Sequence, residues 1–226
     1  MNRVPFGFGE WYHCYSRGVD KRVVFDTPAD YRRFLELLYL SNGTQSHWRS
    51  AFQDDDVHMI FSSDRSEPIV AIGAYCLMPN HFHLLIQELT EGGITLFMRR
   101  LGTAYTMYFN KKNDRVGNLF VKPFRSKHIV DDRYFRHVAN YIHLNPAELS
   151  EPGWKEGRVQ DIKRLGLYMN TYSHSSFIEY LGKSRPESAI LDKEAFSLLS
   201  SNMSPVEEML SEASAYYLEV GASLQK

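Results

Sequence analysis

The chain has 226 residues, 43% hydrophobic and 23% charged, with a formal net charge of -1 at pH 7. That balance implies a globular protein with one full core and some appendages. No run approaches the roughly 20 apolar residues of a membrane helix, the start MNRVPFGFGEWYH lacks a signal-peptide pattern, and two cysteines make no disulfide framework.

In chain order, the aromatic-rich EWYHCYS (Glu10 to Ser16) predicts a first strand. Thr27-Pro28-Ala29-Asp30 then opens a helix with an N-cap threonine, a proline at the first helical position and an acid in the first turn. This helix runs to about Leu40 on an apolar stripe of Tyr31, Phe34, Leu35 and Leu38. Ser41 to Pro68 is polar and is expected to be an insertion or mobile loop, with VHMIF as its one candidate short strand. Its Asp54-Asp55-Asp56 run lacks the glycine-turn pattern of a calcium loop and reads as solvated. Ile69 to Met78 predicts a second strand, Pro79-Asn80 a turn, and His81 to Glu88 a third strand antiparallel to the second.

Thr95 to Asn110 follows as a helix, with Phe97, Leu101, Ala104, Tyr105 and Tyr108 at three- and four-residue steps. Gly117 to Val130 is a fourth extended segment, and Asp131-Asp132 caps a helix that Pro146 helps to end. The order strand, helix, strand, strand, helix, strand predicts an α+β, ferredoxin-like (split βαβ) antiparallel sheet with helices on one face. Residues 1–150 would form the core, with its insertion at about 41–68. Residues 151–226 would form a helical C-terminal extension packed on that core. Cys14 and Cys76 read as reduced core thiols in a cytoplasmic protein.

Charge is uneven along the chain. Met98 to His128 carries eight basic residues against the single acid Asp114, whereas Arg185 to Lys226 carries three basic residues against seven acids. A basic middle suits a polyanion on one face, although a solvated helix and loop would look the same.

The sharpest local pattern is YCLMPNHFHLLIQE (Tyr75 to Glu88). Residues two apart on a strand share a face, so His81 and His83 lie side by side, opposite Phe82, Leu84 and Ile86. Further on, NYIHLNP places Tyr141 and Asn145 four apart, on one helix face. Packed together, these two pairs would join two imidazoles, an amide oxygen and a phenol. Two nitrogens and one amide oxygen suit a hydrated Mg²⁺ or Mn²⁺ rather than a closed structural zinc. A phenol needs help from a cation or base to act as a nucleophile at neutral pH, and a metal on a phosphate oxygen gives such help. The combination suits attack on a phosphodiester. Each part also has a plainer reading: paired strand histidines as partly buried polar residues, Tyr141 as a core aromatic, Asn145 as a helix C-terminus.

Taken together, MPNHFHLLI and the downstream G-NLFVKPFRSKHIV-D--YF-HVANYIHLNP resemble the single-tyrosine HUH transposases, in particular the branch of REP-associated tyrosine transposases. WYHCYSRGVDKRVVFDTPADYRRFLELL, LGTAYTMYFNKK and YSHSSFIEYLG extend the likeness over roughly Trp11 to Gly182. The resemblance implies that His81, His83 and Asn145 hold a divalent metal, Mg²⁺ or Mn²⁺. It further implies that Tyr141 is the nucleophile, forming a 5′-phosphotyrosine and freeing a 3′-hydroxyl. The implied substrate is single-stranded DNA folded into hairpins, such as palindromic repeats or element ends, cut and rejoined. Arg17, Arg99, Arg100, Lys111, Lys112, Lys122, Arg125 and Lys127 are then candidate phosphate contacts. His143 is a weaker candidate proton acceptor, because i+2 on a helix turns it away from Tyr141. A monomer is favoured over a homodimer, since the REP-associated branch acts alone. Competing readings are a catalytically silent binder of structured DNA or RNA and a sheet-based RNA-binding module, which would want an RNP-type run. A zinc deaminase would want H-x-E with P-C-x-x-C.

Overall fold

A computed structural model describes residues 5–45, 57–201 and 203–213, without the side chains of 57 and 58. Its centre is a four-stranded antiparallel sheet in the order β2-β3-β1-β4, built from β1 (Trp11–Arg17), β2 (Val70–Met78), β3 (His81–Glu88) and β4 (Arg125–His128). This is the strand order of the ferredoxin-like pattern. β3 occupies the residues predicted for it, because Pro79-Asn80 leaves the chain no other place to turn. Gly73 marks a bulge in β2 between Ile72 and Ala74. A Cβ there would come within 3.2 Å of the Trp11 ring.

Alternation along the strands decides the layers. Phe82 packs against Phe34 with ring centroids 4.9 Å apart, and Phe34 meets Tyr105 at 5.0 Å. Those two rings lie on α1 (Pro28–Leu40) and α3 (Gly93–Lys112), which cover this face. The other face carries α4 (Asp132–Leu144), whose Phe135 packs on Trp11 at 4.8 Å. The expected layer of helices on one face thus describes α1 and α3. α4 adds a layer on the side toward which His81 and His83 point.

Local chemistry explains where the helices start. In α1 the Asp30 carboxylate accepts from the backbone N–H of Thr27 at 2.9 Å, the N3 side of a capping box. Asp131 caps α4 by accepting from the Tyr134 N–H at 2.7 Å. Phe135, Val138, Ala139 and Ile142 then form the buried stripe of α4.

Asp30 also ties α1 to α3. It is fully buried and accepts from Lys112 Nζ at 2.7 Å and Tyr108 Oη at 2.9 Å. Burial alone would raise its carboxyl, but the bonds from Lys112, Thr27 and Tyr108 outweigh burial and hold it below the ordinary value. A depressed folded value gives stability that is present above the unfolded pKa and is lost as pH falls through the folded one. Lys112→Met is therefore expected to move acid unfolding to higher pH and to cost about 3 kcal/mol at pH 7. Circular dichroism during acid titration and urea melts would measure both effects.

Two sequence expectations change in detail. VHMIF is not a strand: Val57–Ser62 is the short helix α2. A short apolar run has no decisive period of its own, and here packing against α1 decides, with Phe61 meeting Tyr39 at 5.7 Å. The fourth extended segment pairs as a strand only over Arg125–His128, since Pro123 has no N–H to offer a ladder. Before it, the chain still touches β1's end through a Gly18–Phe120 bridge. The start of the 41–68 segment is tied down by Asn42, which is buried and bonded to the backbone of Ile69 and Val70. Asp54, Asp55 and Asp56 lie outside the described residues.

After α4 come α5 (Ala147–Ser150), α6 (Ile162–Met169), α7 (Phe177–Tyr180) and α8 (Lys193–Ser200). Trp154, Leu165, Met169, Phe177 and Met209 form a second apolar cluster there. Residues 174–176 lie along the outer edge of β2, with Leu77 N–H donating to His174 O at 2.9 Å and Ser176 N–H to Tyr75 O at 3.0 Å. Cys14 and Cys76 are buried and unbridged. Among the described residues no helix is long and apolar enough to cross a membrane.

Candidate active site

β3 and α4 bring the two sequence motifs together. The His81 and His83 rings are 5.0 Å apart and nearly perpendicular. The Tyr141 ring stands edge-on to His83 at 5.3 Å. All three line one open cavity of about 410 Å³. Asn145 lies behind them, fully buried and outside the cavity lining. Its Nδ2 donates to the Tyr141 carbonyl at 2.8 Å, while its Oδ1 is buried without a hydrogen-bond partner. Such an unsatisfied acceptor costs about 1–3 kcal/mol.

The histidines are held neutral. Burial lowers His81 to about 4, helped by the nearby Arg17, and lowers His83 well below the ordinary range. Each imidazole therefore keeps a lone pair at neutral pH. His81 Nδ1 lies 2.6 Å from Asn80 Oδ1, which can only accept, so this nitrogen carries the proton and Nε2 is left for a ligand. Burial pushes the Tyr141 phenol well above its usual value, the Asn145 side chain offsetting part of the rise and the Glu148 charge adding to it. Without a cation the phenol is protonated.

Several cavity residues escaped the sequence reading. His13 on β1 bonds to His83, Nε2 to Nδ1 at 2.8 Å. The split βαβ order does place β1 beside β3, and that was the available signal for it. Tyr15, Tyr134, Glu148 and Lys155 also line the cavity. Glu148 continues the stripe of Tyr141 and Asn145 at i+7 and i+3, and it pairs with Lys155 Nζ at 2.6 Å.

The structure separates the eight candidate phosphate contacts. Arg17, Arg125 and Lys127 line the cavity, and the exposed Lys122 sits between its lining residues Val121 and Pro123. Arg99, Arg100, Lys111 and Lys112 lie on α3, across the sheet. Of these, Lys112 is engaged with Asp30 and Arg100 donates to the Gly43 carbonyl at 2.5 Å. His143 is also away from the cavity. It is buried on the other side of α4, its Nε2 lying 3.0 Å from Ser176 Oγ and its ring packed on Tyr180, as the i+2 position requires.

Comparison with known proteins adds similarities to this geometry. Residues 47–145 match the family model described as "Transposase IS200 like", a span that contains His81, His83, Tyr141 and Asn145. The fold is similar to a solved REP-associated tyrosine transposase bound to a REP hairpin, with a TM-score of 0.50 and 14% identity over 83% of this chain and 89% of that one. No curated protein matches the chain. The solved neighbour bears out the expected α+β fold over most of the chain, and the similarity to the transposase family model is confined to the motif-bearing segment. The chain has an α+β core, and the segment that carries both motifs is similar to the IS200-like transposases.

Proposed function

We propose that the chain is a metal-dependent single-strand DNA endonuclease and strand transferase acting through a 5′-phosphotyrosine. The observation that carries this reading is the Tyr141 ring 5.3 Å from His83, in one cavity with His81. A cationic rim of Arg17, Arg125, Lys127 and Lys155 surrounds it.

The residues fit a hard divalent cation, Mg²⁺ or Mn²⁺. His81 and His83 are neutral, and the side-chain amide oxygen of Asn145 is buried without a hydrogen-bond partner. Among the described residues no group of three or more His, Cys, Asp or Glu is arranged to hold a metal ion, so an ion here would complete its shell with the Asn145 amide, water or phosphate oxygens. When bound, the cation would draw negative charge from a phosphate oxygen. Tyr141 Oη then attacks phosphorus, the P–O3′ bond breaks, and the phenol's proton is lost as the departing oxygen gains one. The products are a 5′-phosphotyrosine and a 3′-hydroxyl, and attack by another 3′-hydroxyl reverses the step. Hairpin-bearing single-stranded DNA is the proposed partner. One chain supplies every group named, which supports action as a monomer, and the two buried free thiols suit a reducing cytoplasm.

Incubation with labelled single strands from both flanks of the gene tests this reading. A covalent protein–DNA band on a denaturing gel, present with Mg²⁺ or Mn²⁺ and lost with EDTA, is the expected result. Binding of hairpins with no adduct on any strand would favour a silent binding protein. The rim makes a separate prediction. Arg125→Ala and Lys127→Ala should each weaken DNA binding and lower the salt slope by about one, whereas Lys111→Ala, across the sheet, leaves it unchanged. Fluorescence anisotropy over a salt series measures this.

A further inference from the structure

We infer that His13 is a positioning residue for the metal centre: its Nε2 accepts the Nδ1–H of His83, so that the Nε2 of His83 is the nitrogen offered to the cation. This rests on the reading of His81 and His83 as ligands.

The geometry is specific. His13 and His83 are both buried, their nitrogens are 2.8 Å apart, and their rings are nearly parallel at 5.0 Å. Such a contact between two neutral imidazoles needs one N–H and one lone pair. In a metal-ligating histidine, the nitrogen that binds is set by the hydrogen bond that the other nitrogen makes. His81 already shows this arrangement, because its Nδ1 is committed to Asn80 Oδ1. His13 completes the pair by doing for His83 what Asn80 does for His81. The Tyr141 ring lies edge-on to His13 at 5.6 Å as well as to His83. A tilt of His83 would therefore also disturb the packing around the phenol. β1 provides this acceptor because His13 points to the α4 face, between Trp11 and Tyr15 on the same side of the strand.

The test compares Mn²⁺ binding, followed by electron paramagnetic resonance, in wild type, His83→Ala, His13→Leu and His13→Gln. Leucine fills the space without an acceptor, and glutamine places an amide oxygen near the position of Nε2. Expected are a loss of about 10–100-fold in affinity for His13→Leu and recovery of most of it in His13→Gln. Equal binding by wild type and His83→Ala would overturn the metal reading on which the inference stands. Unchanged affinity in His13→Leu, beside a weakened His83→Ala, would overturn the role of His13 alone. Should His13→Leu fail to fold, ¹⁵N spectra of the metal-free wild type still decide. Protonation of His83 on Nδ1 is the expected tautomer, and protonation on Nε2 would overturn the proposal.

Discussion

Tyr141→Phe is expected to abolish the covalent protein–DNA adduct while leaving hairpin binding and fold intact. The phenol oxygen is the group lost, and phenylalanine keeps the ring that packs edge-on to His83 and His13. Removing a nucleophile that acts as a unit with its activating groups costs rate factors on the order of 10⁴ or more, which would put residual adduct below detection. Tyr15 and Tyr134 supply the control, because both line the same cavity. Tyr15→Phe and Tyr134→Phe should still form adduct, even where stacking on an unpaired base is altered. A quantitative denaturing gel of the three variants against wild type checks this. Adduct in Tyr141→Phe at a wild-type level would assign the chemistry to another residue.

The largest stability effect is expected at Arg185. Its guanidinium grips Glu179 through two nitrogens at 2.6 and 3.0 Å, and also donates to Tyr75 Oη at 2.9 Å and Ser175 O at 2.8 Å. Glu179 is 3% exposed, so Arg185→Met strands a buried carboxylate, a change that typically costs about 3–5 kcal/mol. Burial already raises the Glu179 carboxyl, with Arg185 opposing the rise. Without the arginine the folded value climbs further. A raised folded value gives stability that is full below the unfolded pKa and is lost as pH rises through the folded one. The cost of Arg185→Met should accordingly be greater at pH 8 than at pH 5 in urea melts. Adding Glu179→Gln should recover part of it, since the stranded charge is gone. The segment held by Arg185 also carries Ser176, which meets His143 on α4, the helix that bears Tyr141.

How far the sequence reached follows from what kind of signal each residue gives. Strand alternation put His81 and His83 on one face, and the helical step joined Tyr141 to Asn145. Both are local periodicities, and the structure keeps both. The capping signals at Thr27 and Asp131 placed the starts of α1 and α4 for the same reason. VHMIF failed because a short apolar run takes its conformation from its packing partner, here α1. The basic run from Arg99 to Lys127 looked like one surface, but the sheet divides it. Arg125 and Lys127 face the cavity, whereas Lys112 is bound to Asp30, a residue 82 positions away in sequence. His13, Glu148 and Lys155 were hidden for a related reason: each gains meaning only from a neighbour in another element.

The central claim is that Tyr141 becomes joined to a DNA 5′-phosphate, and peptide mapping of the adduct tests it most directly. After incubation with a flanking strand and Mn²⁺, nuclease trimming and proteolysis, mass spectrometry would locate the residual nucleotide. The account predicts a single modified peptide, with the 5′-phosphate on Tyr141. A nucleotide on Tyr15, Tyr134 or any other residue would contradict it.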